Sequence, residues 1–154
     1  MEITHDMSAI SSASMEHAVL EHIKQAMRVT LDWQAPEVSL PRKINSLQFT
    51  IKSLQRHLER IMSIEEEGGY MSIVHDCKPH LQERLECLSG DHASFRAALA
   101  RLQPELDALS EWEEDRFRQI CNDIRQLLDD IDTHDQQEVE LLQESLMDEE
   151  GGQG

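Results

Sequence analysis

Apolar residues recur every three or four positions along most of this 154-residue chain. Such spacing places them on one face of an α-helix, whereas a half-buried strand requires alternation at every second residue. The most regular run lies in the second quarter of the chain and comprises Ile44, Leu47, Ile51, Leu54, Leu58 and Ile61. Stripes of this kind must be buried against other helices, so the sequence predicts an all-α fold.

Four long helices are predicted, over about residues 9–33, 42–67, 79–104 and 111–147. Pro41 suits the first turn of the second helix, Gly68-Gly69 ends or kinks it, and Pro104 is expected to break or kink the third. Long helices with short connections predict an up-down-up-down four-helix bundle over residues 10–147. We expect residues 1–9 to be flexible and the acidic, Gly-containing tail 148–154 to be disordered.

Charge and composition limit the class of partner and the compartment. The chain has 14 Lys+Arg against 31 Asp+Glu, a formal net charge of -17, which argues against nucleic acid or an anionic membrane as partner. It has no signal-peptide pattern and no long apolar run, so we expect a cytoplasmic protein without a transmembrane helix. The three cysteines form no CxxC pair and are expected to be reduced thiols.

The outer helix faces carry mostly charge, and one interior stripe per helix predicts a monomeric or weakly associating bundle. The chain contains no nucleophile elbow, phosphate-binding loop or CxxC redox pair. Hydrolase and transferase chemistry is therefore not expected.

Potential metal ligands interrupt three of the four stripes. Glu65 lies on the second helix, His92 on the third, and His134 and Glu138 lie one turn apart on the fourth. An imidazole and a carboxylate that both point inward are costly to bury unless something binds them. Neutral nitrogen and anionic oxygen donors together suit Fe, Mn or Zn in a bundle interior. The sequence therefore predicts a metal site in the core.

The first helix offers two candidates for a further ligand, His17 and His22. The separation of His17 from Glu65 nearly equals that of His92 from Glu138, so a repeated helix pair favours His17. The helical wheel instead turns the apolar face of the first helix towards His22. Both stay open, with a slight preference for His17.

These residues resemble the hemerythrin-like (HHE cation-binding) domain over about residues 10–147. The likeness is carried by a first-helix His, Glu-Glu-Glu-Gly-Gly-Tyr at 65–70, Asp91-His92-x-x-Phe95 and His134-x-x-x-Glu138. The resemblance implies a non-heme di-iron centre, held by His residues from all four helices and two bridging carboxylates. Glu65 and Glu138 would bridge, and the terminal ligands would be His92, His134 and either His17 or His22.

The same resemblance implies binding of dioxygen or another small diatomic ligand, oxygen or redox sensing, or iron handling. It does not choose among these roles, and it does not imply an enzyme. No feature of the sequence identifies a protein partner.

One position departs from the family pattern. The second helix of the family usually carries His-x-x-x-Glu, but the residue four before Glu65 is Ile61. His57, one turn further back, lies on the opposite side of that helix and is expected at the surface. Three outcomes stay open: a di-iron site with the gap filled by water or another side chain, a single-metal site, or a metal-free helical bundle acting as a protein interaction module.

Other polar residues receive simpler interpretations. His75, Cys77 and His80 are expected in a polar loop with no metal site of their own. Glu66 is expected to be solvated. Tyr70 could donate a hydrogen bond near the metal site, but simple packing after the Gly-Gly pair is the expectation.

Overall fold

The computed structural model describes residues 2–32 and 38–151 as helices and short connections, with no strand in those ranges. The five α-helices are α1 (Glu2–Leu31), α2 (Leu40–Glu66), α3 (Tyr70–Cys77), α4 (Gln82–Asp107) and α5 (Glu114–Gly151). A 3₁₀ turn, Pro79–Leu81, leads into α4. Each long helix packs against two others, α1 and α4 each contacting both α2 and α5. The predicted all-α four-helix bundle is confirmed.

The predicted stripes of α2, α4 and α5 form the interior. All six apolar positions predicted on α2 are buried, and so is Glu65. On α4 the buried positions follow the predicted spacing of three and four and include His92. On α5, Ile131 and Leu141 are fully buried on either side of His134 and Glu138, which are themselves buried. The interruptions in the stripes thus point inward, as the periodicity predicted.

Two apolar clusters divide the interior. The main cluster fills most of the bundle and includes Ile61, Phe95 and Ile131. The second cluster packs the short helix α3 against α4 and α5 and includes Leu88 and Leu141. His92 lies between Leu88 and Phe95 in sequence, and the α5 pair lies between Ile131 and Leu141. The polar residues of the core therefore occupy a layer between the two clusters.

Several helix boundaries differ from the prediction. Helix α3 was expected to be loop, but one turn of apolar spacing buries Met71 and Val74 in the second cluster. The expected break at Pro104 was wrong, because α4 continues to Asp107 and the Pro104 carbonyl accepts a hydrogen bond from the Ala108 N–H at 3.0 Å. A proline so near the helix end removes only one backbone hydrogen bond.

Helices α1 and α5 extend into the two segments that the sequence predicted to be flexible, 1–9 and 148–154. Trp33, the expected end of the first helix, and Pro36 lie outside the described residues, as do Met1 and 152–154.

Cys87 and Cys121 carry free thiols, Cys121 being buried. No helix in the described ranges has the length and apolarity needed to cross a bilayer.

Helix α1 carries a buried cation in its core stripe. The Lys24 side chain is 3% exposed, and its ammonium lies 2.6 Å from Glu21, 2.7 Å from Asp132 and 3.2 Å from Asp135. One turn further along α1, Arg28 forms ion pairs with Asp129 and Asp132. These ion pairs join α1 to α5, and burial of Lys24 is acceptable because three carboxylates surround it.

The junction between α2 and α3 depends on two glycines. Gly68 has φ +95°, in the left-handed region that favours glycine after a helix end. A Cβ on Gly69 would lie 2.4 Å from the Ile64 carbonyl oxygen and 2.7 Å from the Cα of Glu65. This backbone approach confirms that the Gly-Gly pair ends α2, and it brings the start of α3 against the turn that carries Glu65.

Replacing Gly69 by Ala should lower the free energy of unfolding of the metal-free protein by about 1–3 kcal/mol, because the backbone must move to admit the Cβ. Gly90→Ala is the matched control. A Cβ at Gly90, within α4, meets nothing within 4 Å. That variant should gain about 0.5–1 kcal/mol from the lower chain entropy of the unfolded state. Urea unfolding measures both, and a shift of the same sign in the two variants would contradict the close approach at Gly69.

Candidate metal centre

Four buried side chains from three helices converge in the polar layer: Glu65 of α2, His92 of α4, and His134 and Glu138 of α5. One ligand atom from each lies within 4.8 Å of all the others. Donors bound to one ion at about 2.1 Å lie no more than about 4.2 Å apart, so only small shifts are needed for the four to share a cation. The described part of the chain thus brings together the four ligands that the stripe interruptions predicted.

The two histidines of α1 differ in position. His17 Nε2 lies 3.6 Å from Glu65 Oε1, at the edge of the cluster, with its side chain 42% exposed. His22 is exposed and lies outside the cluster. The core stripe of α1 runs through Leu20, Lys24 and Met27. The helical wheel favoured His22 because it counted only apolar residues and left out the charged Lys24. His57, the alternative on α2, is outside the cluster, but it is half-buried against Glu16 Oε2 at 2.8 Å and not a surface residue as expected.

Three polar atoms of the cluster lack a hydrogen-bond partner among the described residues. They are Oε2 of Glu65 and both ring nitrogens of His92. His92 Nε2 lies 3.1 Å from Glu65 Oε2, but the two groups do not have hydrogen-bond geometry. An unpaired polar group in a protein interior costs roughly 1–3 kcal/mol. A cation between Glu65 Oε2 and His92 Nε2 would satisfy both of these atoms, so the residues fit the metal that the pattern predicts.

Further carboxylates contact the outer nitrogens of the two imidazoles. Asp91 Oδ2 lies 2.9 Å from His134 Nδ1, so His134 Nε2 faces Glu138, at 2.7 Å. Glu66 Oε1 lies 3.7 Å from His92 Nδ1. Glu66 is itself bound by Arg96, so the expectation that it is solvated was wrong. A carboxylate hydrogen-bonded as Asp91 is fixes the orientation of an imidazole that binds metal through its other nitrogen.

Tyr70, the first residue of α3, also reaches the cluster. Its hydroxyl donates a hydrogen bond of 2.8 Å to Glu138 Oε1, so the expectation of simple packing was incomplete. A cleft of about 500 Å³ opens beside it, lined among others by His17, Glu65, Gly69 and Glu138. This cleft gives the carboxylate side of the cluster access to solvent.

Burial and mutual contact shift the pKa values of these groups in opposite directions. Burial and the neighbouring Glu65 carboxylate raise the pKa of Glu138 above its usual range. Burial alone would do the same to Glu65, but contacts with His17 and His92 outweigh it and lower its pKa. Burial disfavours the His134 imidazolium, yet Glu138 and Asp91 raise the pKa of His134 to about 9. The metal-free cluster therefore holds protons between its carboxylates and imidazoles, and a cation must displace them.

Comparison with known proteins agrees with this geometry. The family model described as Hemerythrin HHE cation binding domain matches residues 14–146, which include the whole cluster and His17. No curated protein and no solved structure is significantly similar to the chain.

Replacing His17 by Ala should weaken metal binding by about 10-fold or more, because the imidazole lies beside Glu65 at the open edge of the cluster. His22→Ala is the matched control, an exposed histidine one and a half turns along the same helix, and it should retain wild-type affinity. Competition with a chelator of known affinity measures both variants. If His22→Ala is the weaker binder, the first-helix ligand is the residue that the helical wheel favoured.

Proposed function

Because this chain belongs to the hemerythrin HHE cation-binding domain family, we propose that it is a non-heme iron-binding protein. The observation that carries the proposal is the set of unpaired buried donor atoms on Glu65 and His92, within a cluster of two carboxylates and two imidazoles. Iron suits this mixture of oxygen and nitrogen donors. Its role here would be dioxygen binding, oxygen or redox sensing, or iron handling.

The proposed centre is di-iron, as in the family. Glu65 and Glu138 would bridge the metals, since each has an oxygen directed at the others in the cluster. His92, His134 and His17 would be terminal ligands. Asp91 would hold the His134 imidazole in orientation, Glu66 lies 3.7 Å from His92 Nδ1, and the main apolar cluster borders the site on one side. When bound, iron would supply the coordination and redox chemistry that these side chains lack.

Iron content tests the proposal. Protein purified without chelators and reconstituted with ferrous iron should hold about two iron ions per chain if both halves of the centre fill. Replacing His134 or Glu138 by Ala should lower this content while the circular dichroism spectrum stays helical, because neither side chain belongs to the apolar clusters. About one ion per chain would indicate a single-metal site. No iron after reconstitution would overturn the proposal and leave a metal-free helical module acting through protein contacts.

Ile61 occupies the position where the family usually has a histidine, and we propose that one ligand is therefore missing. Ile61 is 4% exposed and belongs to the main apolar cluster, one helical turn before Glu65. Residues four apart share a face of the helix, so a ligand at position 61 would point at the same layer as Glu65. The bundle instead presents an aliphatic side chain to the metal there.

Ile61→His should raise iron affinity, because it completes a His-x-x-x-Glu pair on α2. The metal-free variant should lose roughly 1–3 kcal/mol of stability, since the ring is then buried without a partner. Added iron should restore that loss by binding only the folded state. The matched control is Leu58→His, equally buried but a turn further from Glu65, which should lose stability without gaining iron. Equal behaviour of the two variants would show that residue 61 does not face the metal.

A further inference from the structure

Tyr70 supplies an oxygen that the predicted ligand set does not include. Tyr70 is the first residue of α3, and the Gly68-Gly69 turn places this residue beside the cluster. Its ring is half-buried and packs against the second apolar cluster. The aromatic body is thus held by packing while the hydroxyl points at Glu138. Few rotamers of Tyr70 satisfy both contacts, so the position of this oxygen is fixed.

The spacing around Glu138 Oε1 is that of neighbouring ligands on one ion. His134 Nε2 lies 2.7 Å and the Tyr70 hydroxyl oxygen 2.8 Å from this atom. Two donors bound at right angles, each about 2.1 Å from a metal, lie about 3 Å apart. The same separation serves a hydrogen bond in the metal-free protein and an edge of the coordination shell in the metal-bound protein. The phenol oxygen therefore lies at a distance from Glu138 Oε1 that suits two ligands of one cation.

The other polar residues around the cluster are placed differently. Asp91 and Glu66 approach the outer, Nδ1 nitrogens of His134 and His92. Their carboxylates are thus separated from the interior of the cluster by the imidazole rings. Tyr70 instead contacts an oxygen of Glu138 that is itself a candidate ligand atom. It is therefore on the metal side of the cluster, across the layer from Ile61.

We propose that Tyr70 is a further metal ligand of this cluster, binding through its phenolate oxygen. The proposal rests on the proposed iron-binding function and names a donor that offsets the one absent at Ile61. On binding, the phenol O–H bond breaks and an oxygen–metal bond forms. The proton leaves to bulk water through the cleft that Tyr70 and Glu138 line. No electron is transferred in this step.

The chain contains a single tyrosine, which makes a spectroscopic test unambiguous. Full-length protein is loaded with ferric iron, and its iron content and visible absorption are measured. A phenolate bound to ferric iron gives a charge-transfer band, and no other residue of this chain can supply a phenolate, so the tyrosinate vibrations assign the band to Tyr70. The wild type should show this band, with tyrosinate vibrations in its resonance Raman spectrum. Binding of redox-inert Ga³⁺ should likewise produce the ultraviolet difference spectrum of tyrosinate.

Tyr70→Phe keeps the ring and removes only the oxygen. It should load with iron, lose the band and bind iron about 10-fold or more weakly than the wild type. Iron-loaded wild type without the band, or a Ga³⁺ complex without tyrosinate, would overturn the proposal. Tyr70 would then remain a hydrogen-bond donor to Glu138, and the iron-binding function would stand. A wild type that takes up no iron would overturn both proposals, so the two failures are distinguishable by iron content alone.

Discussion

Two carboxylates buried a few ångströms apart in an apolar bundle are the costliest feature of this structure. Glu65 and Glu138 are each 7% exposed, and both cannot ionise in the interior without a positive charge between them. In the metal-free protein that charge comes from protons on the surrounding imidazoles. A divalent or trivalent cation would do the same more strongly and would also satisfy the unpaired Nε2 of His92. Metal binding and proton release are consequently the same event in this site.

Apolar packing and ion pairs around the cluster stabilise the arrangement of these side chains. Apolar clusters above and below isolate the layer, which strengthens each electrostatic contact inside it. Asp91 contacts the outer nitrogen of His134, and the Arg96–Glu66 pair lies beside the outer nitrogen of His92. On the remaining helix, Lys24 ties α1 to α5 next to the turn that carries His134, so His17 is held at the edge of the cluster. The site therefore depends on ion pairs in the core as well as on apolar packing.

Periodicity predicted the bundle and the four candidate ligands of the central cluster because a polar residue in a regular apolar stripe can only point inward. Glu65, His92, His134 and Glu138 were each found in this way. The same reasoning was ambiguous on α1, where the stripe includes a lysine that an apolar wheel ignores. It also missed α3, which is too short to show periodicity and is placed by a close glycine approach. The Tyr70 contact with Glu138 depends on that placement, so no local pattern could predict it.

The cluster is not symmetric between its two apolar neighbours. On the side of the main cluster, Ile61 borders the layer with a buried aliphatic side chain. On the side of α3, the Tyr70 oxygen, both carboxylates and the half-exposed His17 border an open cleft. The two carboxylates and the phenol oxygen thus face the same cleft. A second cleft, lined by Asp91 and His134, lies between α4 and α5, so solvent approaches the carboxylates and the outer edge of His134 from different directions.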